Sequence, residues 1–322
     1  MVKNKKHDID KENEALNKVH EEVNEASREE KVEKTDVGFA VIIREFKKDK
    51  VALVSFFSVV TFMIFIFITA MFINVDQLNQ VNILDQFNPP SFDSVWNILG
   101  RDEGGRSVIG LLIVGARNSL IVAFCITFLI EAIGLLLGLV MGFYGGRVDK
   151  YGMRVVDFIG ILPILLIIIA FVSSVPKYNV ATFVFIMSAF YWVGTARLVR
   201  SKALSEARRD YVSASKTMGT SNLKIMFGGI LPNISSIIIV DATLALAGNV
   251  GIETSLSFLG FGLPQSSPSL GTLIAYASRP EIIESKMYVW LPATLVVLFM
   301  MLCINYCGQA LRRAADAKQR LG

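Results

Sequence analysis

Charged residues are scarce in this 322-residue chain, and their placement is uneven. They make up 19% of the sequence, whereas an ordinary soluble domain carries about a quarter. The stretch from Val51 to Ile73 contains none. A helix over this stretch would be about 35 Å long at about 1.5 Å per residue, enough to cross a hydrocarbon layer of about 30 Å. The pattern argues against a soluble globular protein and favours a chain that spans a membrane.

Histidine and cysteine are also scarce. The only histidines, His7 and His20, lie near the N-terminus, so none is available for catalysis or metal binding in the apolar body. Cys125, Cys303 and Cys307 lie inside apolar stretches without a histidine or carboxylate at ligand spacing, as expected for packing residues. A membrane-embedded enzyme is disfavoured, because no paired intramembrane aspartates and no Ser/Lys constellation occur at helical spacing. We expect no metal and no cofactor bound by this chain.

Nucleic-acid binding is also disfavoured. The net charge is only +4, and no basic stripe with interleaved aromatic residues is present. A phosphate-binding loop of the form G-x-x-x-x-G-K-[ST] is absent as well, so the chain cannot hold ATP in that manner.

The apolar stretches predict an all-α polytopic membrane protein with six transmembrane helices. If the N-terminus is inside, the predicted cytoplasmic segments hold eighteen Lys and Arg residues and the external ones five. Because Lys and Arg accumulate on the cytoplasmic side, both termini are predicted to be cytoplasmic. The predicted spans lie near residues 51–73, 116–143, 153–175, 180–198, 232–252 and 289–310.

The remaining segments divide the chain further. Residues 1–36 are predicted to form a charged cytoplasmic tail, either solvated or docked on a partner, and 37–50 an interfacial helix on membrane lipid. No cleavable signal peptide is visible, so the first span is expected to act as an uncleaved anchor. Within the transmembrane domain 51–322, the longer connections are the external loops 74–114 and 253–288 and the cytoplasmic loop 199–231.

The loop between the fourth and fifth spans has helical features. Asp210 is predicted to be the N-cap of a short helix that ends at Gly219 in the left-handed conformation. A second helix over 222–227, capped by Thr220 or Ser221, leads to the next span. A two-turn helix is unstable alone in water. One side of the first helix carries Tyr211, Ala214, Ser215 and Met218, which indicates either a groove on another protein or the surface of the lipid headgroups.

This loop resembles the "EAA" loop of ABC-importer permease subunits. In that pattern the letters E-A-A precede a glycine by three residues, and an L-P pair follows about a dozen residues later. Ser213-Ala214-Ser215 takes the place of E-A-A, so the acidic position is lost, while Gly219 and Leu231-Pro232 match.

Other segments, between about residues 40 and 318, resemble the C-type permease subunits of the oligopeptide/dipeptide/nickel group in order and spacing. The chain departs from the family pattern at Arg101, Ser107, Ser213, Gln309 and Ala317. The matching segments are Lys47 to Leu53, Gly100 to Arg106, Gly115 to Leu120, Tyr144 to Asp149 with Asp157, Glu253 to Gly262, and Asn305 to Asp316.

The resemblance implies a type I ABC importer permease in the plasma membrane of a bacterium. Its expected partners are a second homologous permease subunit, two cytoplasmic ATPases that bind ATP and Mg²⁺, an extracellular substrate-binding protein and a peptide substrate. The alternative is a self-sufficient channel or secondary carrier without ATPase partners. The resemblance implies contact with an ATPase at Asp210, Tyr211, Val212, Ala214, Ser215, Met218 and Gly219, and structural roles for Leu231, Pro232, Glu253, Gly260 and Asn305.

Two carboxylates stand inside predicted spans. Glu131 lies in the middle of the second span, and Asp241 lies in the fifth. A charged side chain at the centre of a membrane helix costs about 2.5 kcal/mol or more on insertion scales. Each residue either faces the transport pathway or a partner subunit, or forms a protonated or hydrogen-bonded contact between helices.

Overall fold

The computed structural model describes residues 39–175, 178–264 and 266–321, with side chains from residue 44 to 316. The predicted tail 1–36 lies outside the described residues. The described chain is helical, with one isolated β-bridge between Arg101 and Ser107. The helices are α1 (Phe39–Lys48), α2 (Lys50–Met71), α3 (Val75–Leu78), α4 (Val108–Tyr144), α5 (Gly146–Ile161), α6 (Ile164–Ser174), α7 (Val180–Tyr191), α8 (Val193–Glu206), α9 (Asp210–Thr217), α10 (Asn222–Ile225), α11 (Leu231–Phe258), α12 (Leu270–Ile274), α13 (Pro280–Ser285) and α14 (Met287–Leu321).

The number of spans agrees with the sequence analysis once two bends are included. Four helical segments are long and apolar enough to cross a membrane without a sharp bend. They are α2, α4, α14 and the continuous helical run Asn222–Phe258, which contains α10 and α11. The pairs α5–α6 and α7–α8 pass the same test only as bent units, with bends of 76° and 44°. Counting each bent pair as one span gives six in the described part of the chain.

Several predicted boundaries are wrong. The second span begins at Val108 rather than 116, because the Oγ of Ser107 accepts a hydrogen bond from the Gly110 N–H and starts the helix there. The external loop predicted over 74–114 is correspondingly shorter. The fifth span extends to Phe258, into the predicted loop 253–288.

The third and fourth spans also differ from the prediction. The third is interrupted before Pro163, whose ring disfavours helix at the preceding residue. The fourth continues past its predicted end at 198 to Glu206, after a bend at Trp192.

Close packing of α4 on α8 is central to the bundle. Three glycines at four-residue spacing, Gly134, Gly138 and Gly142, face α8. A methyl group added to any of them would lie 2.6–2.7 Å from an atom of α8. Small residues at this spacing let two membrane helices approach closely. Within the described part of the chain, α4 and α8 are therefore the most extensively packed pair of helices.

The bundle has two distinct ends. The short-helix end carries α9 and α10, the end of α4 and the start of α5. The long-loop end carries residues 72–107, 259–264 and 266–286, which fold as short helices and turns. At this end the carbonyl oxygen of Asn82 would lie 2.0 Å from a methyl group at Gly105, whose φ is +70°, so only glycine fits there.

Candidate functional site

The short helix α9 is attached to the bundle through one fully buried side chain. Val212 has no solvent exposure and packs in a cluster with Phe143 of α4, Val199 of α8 and Ile225 of α10. Packing of this kind stabilises a two-turn helix that would not persist alone. Val212 is the one fully buried residue among those predicted for this site, whereas Tyr211 is partly buried against the same cluster.

Polar contacts fix the two ends of α9. The hydroxyl of Tyr211 donates to Glu206 Oε2 at 3.0 Å, and burial raises the pKa of Tyr211 above its ordinary value. Glu206 also forms an ion pair with Arg209 at 3.2 Å. Near the other end, Lys216 Nζ lies 4.8 Å from the centre of the Phe143 ring. These contacts orient the helix on the bundle.

The predicted ends of α9 are partly confirmed. Gly219 has φ +77° and follows the helix in the left-handed conformation, as predicted. The prediction of Asp210 as N-cap is wrong: Arg209 holds that position without a side-chain cap, and Asp210 is the first helical residue. A carboxylate there still lies next to the positive end of the helix dipole.

The second short helix is shorter than predicted. Ser221 occupies its N-cap without a side-chain hydrogen bond, and α10 ends at Ile225. A π-helical turn, Met226–Ile230, then leads into α11. Leu231 donates its N–H to the carbonyl of Met226, and Pro232 lies in the first turn of α11, where its missing N–H is tolerated.

Three large apolar side chains are exposed along the segment that follows α9 and runs through α10 into the π-helical turn. The side chain of Met218 is 76% exposed, that of Leu223 65% and that of Phe227 44%. Ala214 is exposed as well, and Ser215 is half-buried, with its hydroxyl bonded to the carbonyl of Tyr211. We call Met218, Leu223 and Phe227 the outer apolar surface.

Two ion pairs connect α8 to α5 near this end. Arg200 holds Asp149 with two hydrogen bonds, from Nε at 2.6 Å and from Nη2. Arg197 holds Asp157 at 3.0 Å. Both aspartates belong to segments that resemble the permease family. Their arginine partners could not be predicted from local sequence, because 40 and 51 residues separate the pairs.

The two carboxylates inside predicted spans meet at one hydroxyl group. Thr195 Oγ1 on α8 lies 3.3 Å from Glu131 Oε1 on α4 and 3.0 Å from Asp241 Oδ2 on α11. The second oxygen of Glu131 is buried and has no hydrogen-bond partner among the described residues. Glu131 and Asp241 thus both contact a third helix, α8, and a position of either residue on the transport pathway stays a prediction.

At the long-loop end, a buried carboxylate joins two segments that are distant in sequence. Asp102 has no solvent exposure; it accepts hydrogen bonds from Arg106 at 2.6 and 2.9 Å and from the Tyr276 hydroxyl at 3.1 Å. Burial alone would lower the pKa of Arg106, but its contacts with Asp102 raise it above the ordinary value. Burial and the charge of Asp102 raise the pKa of Tyr276 to about 12.

A cavity of about 690 Å³ lies beside this network. Ion-paired Glu103 and Arg279, 2.8 Å apart, line it together with Ser257 and Gly260, whose φ is +85°. Ser257 also donates to Glu253 Oε1 at 2.8 Å, and Glu253 itself has no solvent exposure. Glu253 and Gly260 thus shape the long-loop end, far along the chain from α9.

Asn305, the last of the predicted motif residues, lies neither near α9 nor at the long-loop end. It is exposed on α14 and accepts a hydrogen bond from Gln309 at 2.9 Å. Within the part of the chain that the structure describes, no three His, Cys, Asp or Glu side chains are grouped so as to hold a metal ion.

Two features of the site were missed by sequence reasoning. Thr195 is the common partner of Glu131 and Asp241, but a threonine inside an apolar helix is an ordinary residue and gives no signal. The contact of α4 with α8 did have a signal, because Gly134, Gly138 and Gly142 repeat the G-x-x-x-G spacing of closely packed membrane helices.

Comparison with known proteins agrees with this arrangement. Residues 134–321 match the family described as "Binding-protein-dependent transport system inner membrane component". The chain is 46% identical over 278 residues to the oligopeptide transport system permease protein OppC of Lactococcus lactis subsp. cremoris, covering 86% of this chain and 94% of that protein. It is also 32% identical to OppC of Bacillus subtilis, over 85% of this chain and 88% of that protein. The chain is 33% identical to the dipeptide transport system permease protein DppC of the same organism, over 86% of this chain and 85% of that protein. The chain therefore belongs to the family of binding-protein-dependent transport system inner membrane components, as an OppC/DppC-like permease.

Proposed function

We propose that this chain is one of two permease subunits of an ATP-driven importer for peptides, and that α9 receives the energy input. It forms half of the translocation pathway with a second, homologous subunit. An extracellular binding protein delivers the peptide, and two cytoplasmic ATPases bind ATP and Mg²⁺. The chain itself has no catalytic role. The names and high coverage of its relatives support the peptide cargo.

The observation that carries the coupling role is the two-sided packing of the segment from α9 through the π-helical turn, residues 210–230. Val212 is fully buried on the bundle side, while the outer apolar surface stays exposed. An apolar surface on a short helix suits a groove on a soluble partner. Closure of paired ATPases around this helix would then move it as a rigid body and shift the attached helices α8 and α11. The segment Asp210 to Gly219 is accordingly the proposed coupling segment.

Orientation follows from the same proposal. The short-helix end faces the cytoplasm, where Arg and Lys are concentrated, and both termini lie on that side. The basic last turn of α1, with Lys47 and Lys48, then lies at the cytoplasmic lipid surface of a bacterial plasma membrane. The long-loop end and its cavity face the binding protein.

The test is transport by the co-purified complex in lipid vesicles. The chain is expressed with an affinity tag beside its untagged partners, and the recovered complex is reconstituted with binding protein. ATP is expected to drive accumulation of a labelled tetrapeptide or dipeptide, whereas a non-hydrolysable ATP analogue should not. Accumulation by the purified chain alone, without ATPase subunits or ATP, would instead identify a self-sufficient channel or carrier and refute the proposal.

A further inference from the structure

The hydroxyl group of Thr195 is the meeting point of three membrane helices. It contacts Glu131 on α4 and Asp241 on α11 while being part of α8, and its own side chain is 5% exposed. A hydroxyl carries a single proton and donates one hydrogen bond. Its second contact is a hydrogen bond only if that carboxyl group is protonated and donates to Thr195. When one of the two carboxyl groups is protonated, the three groups form a chain of two hydrogen bonds around one shared oxygen.

Close packing of α8 on α4 positions the Cβ of Thr195. A methyl group added at Gly134 of α4 would lie 2.7 Å from the Cβ of Thr195, so the two helices are in direct contact there. Helix α8 follows α4 closely over much of its length and touches α11 much less. The hydrogen bond to Asp241 is thus a specific connection across an otherwise sparse contact between α8 and α11.

Helices α8 and α11 are also the two helices that flank the proposed coupling segment. Helix α8 ends at Glu206 before α9, and α11 begins at Leu231 after the π-helical turn. A displacement of α9 can reach the membrane through either helix. Whether both helices move together depends on what connects them. Thr195 with Asp241 supplies a polar connection, in addition to the apolar packing of Val199 and Ala203 with Ile234 nearer α9.

We propose that Thr195 is a positioning residue for transport, which holds α8 and α11 in a fixed relation so that displacement of α9 moves both. This inference rests on the proposed coupling role of α9. A positioning role for Thr195 differs from a purely stabilising role in the quantity that changes when the hydroxyl group is removed. A stabilising residue affects how much complex forms, whereas this one affects how many peptides each complex imports per ATP hydrolysed.

The experiment compares Thr195→Val, Thr195→Ser and Thr243→Val in the reconstituted complex. Valine keeps the shape of threonine but lacks the hydroxyl, and serine restores it. Thr243 is the matched control, since it lies on α11 and its hydroxyl bonds only the carbonyl of Ile239 in its own helix. We expect Thr195→Val to lower the number of peptides imported per ATP at least about threefold, the size expected for one lost intramembrane hydrogen bond. Thr195→Ser and Thr243→Val should match the wild type.

An unchanged ratio in Thr195→Val would overturn the inference. If that variant does not accumulate, Asp241→Leu and Asp241→Asn provide the same comparison from α11, because asparagine keeps an acceptor oxygen and leucine removes it. Asp241→Leu is then expected to lower the ratio and Asp241→Asn to preserve it; equal ratios would overturn the inference. Failure of the proposed function is seen separately, as a wild-type complex that shows no ATP-driven uptake at all.

Discussion

Tyr276 donates a hydrogen bond of 3.1 Å to Asp102, although 174 residues separate them in sequence. The bond joins the first long connection of the chain to the segment after α12, and Asp102 is fully buried where it accepts it. A hydrogen bond to a buried charge contributes more to stability than one between neutral groups. Asp102 is therefore one of the groups that hold the long-loop end together.

This relationship predicts a difference between two tyrosine substitutions. Tyr276→Phe removes a bond to a carboxylate and should lower the free energy of unfolding by about 1.5–3 kcal/mol. Tyr288→Phe is the control, because the hydroxyl of Tyr288 bonds a neutral carbonyl, that of Phe87, at 2.7 Å; its cost should be about 0.5–1.5 kcal/mol. Thermal unfolding of the detergent-purified proteins measures both. Equal losses in the two variants would contradict this prediction.

The same pair predicts a dependence on alkaline pH. The pKa of Tyr276 is raised to about 12 in the folded protein, above the ordinary value of about 10. Because the folded protein favours the neutral hydroxyl of Tyr276, this group stabilises the fold fully at a pH below the tyrosine pKa of the unfolded chain. The stabilisation is lost as the pH rises from about 10 through 12. The difference in melting temperature between wild type and Tyr276→Phe should be constant from pH 7 to 9 and should narrow at pH 10.5. A difference that widens there would contradict the assignment.

Val212 is expected to control how firmly α9 is attached. Val212→Ala removes two buried methyl groups, a loss of about 1.6 kcal/mol at about 0.8 kcal/mol each. If α9 opens locally, trypsin should cut after the exposed residues Arg208, Arg209 and Lys216 about tenfold faster. Val155→Ala on α5 is the control, since its side chain is 54% exposed. Similar cleavage rates in both variants would mean that Val212 does not hold the helix.

The sequence predicted α9 better than it predicted the contacts of α9. Gly219 marked the end of the helix because a left-handed residue is nearly always glycine, a local property that the sequence displays directly. Which side of the helix faces the bundle is decided by Phe143, Val199 and Ile225, which come from three other parts of the chain. A periodic pattern over eight residues cannot distinguish a face that packs on the bundle from one that meets a partner.

The membrane helices show the same limit. Their number followed from hydrophobic length, whereas the bend after Ile161 and the extension of α4 back to Val108 depend on a proline and a capping serine at their ends. Glu131 and Asp241 were recognised as unusual for their position, yet nothing in the sequence indicated that they share Thr195. Pairings between distant helices are properties of the packed structure.

Gly138 should tolerate no side chain, in contrast to a glycine on another span. A methyl group at Gly138 would lie 2.7 Å from the carbonyl oxygen of Ala196 and 2.8 Å from the Cβ of Val199. Gly138→Ala should therefore force α4 and α8 apart and destabilise the protein by about 1–3 kcal/mol. Gly248→Ala on α11 meets nothing within 4 Å and should be neutral or slightly stabilising. Melting temperatures of the two variants in detergent test this, and equal values would show that the helices can separate freely.

Position 219 should require a residue that readily adopts the left-handed backbone conformation, whatever the size of its side chain. Its φ is +77°, and a side chain there would meet no atom within 4 Å, so any strain comes from the backbone alone. Asparagine adopts this conformation readily, whereas a β-branched residue does so at a cost of about 1–2 kcal/mol. Gly219→Val is expected to uncouple ATP hydrolysis from peptide uptake in reconstituted vesicles, while Gly219→Asn retains uptake. Gly228→Ala is the control, because that glycine also faces open space but has an ordinary φ. Because valine and asparagine are of similar size, normal uptake by Gly219→Val would show that the turn after α9 is not needed to transmit the motion.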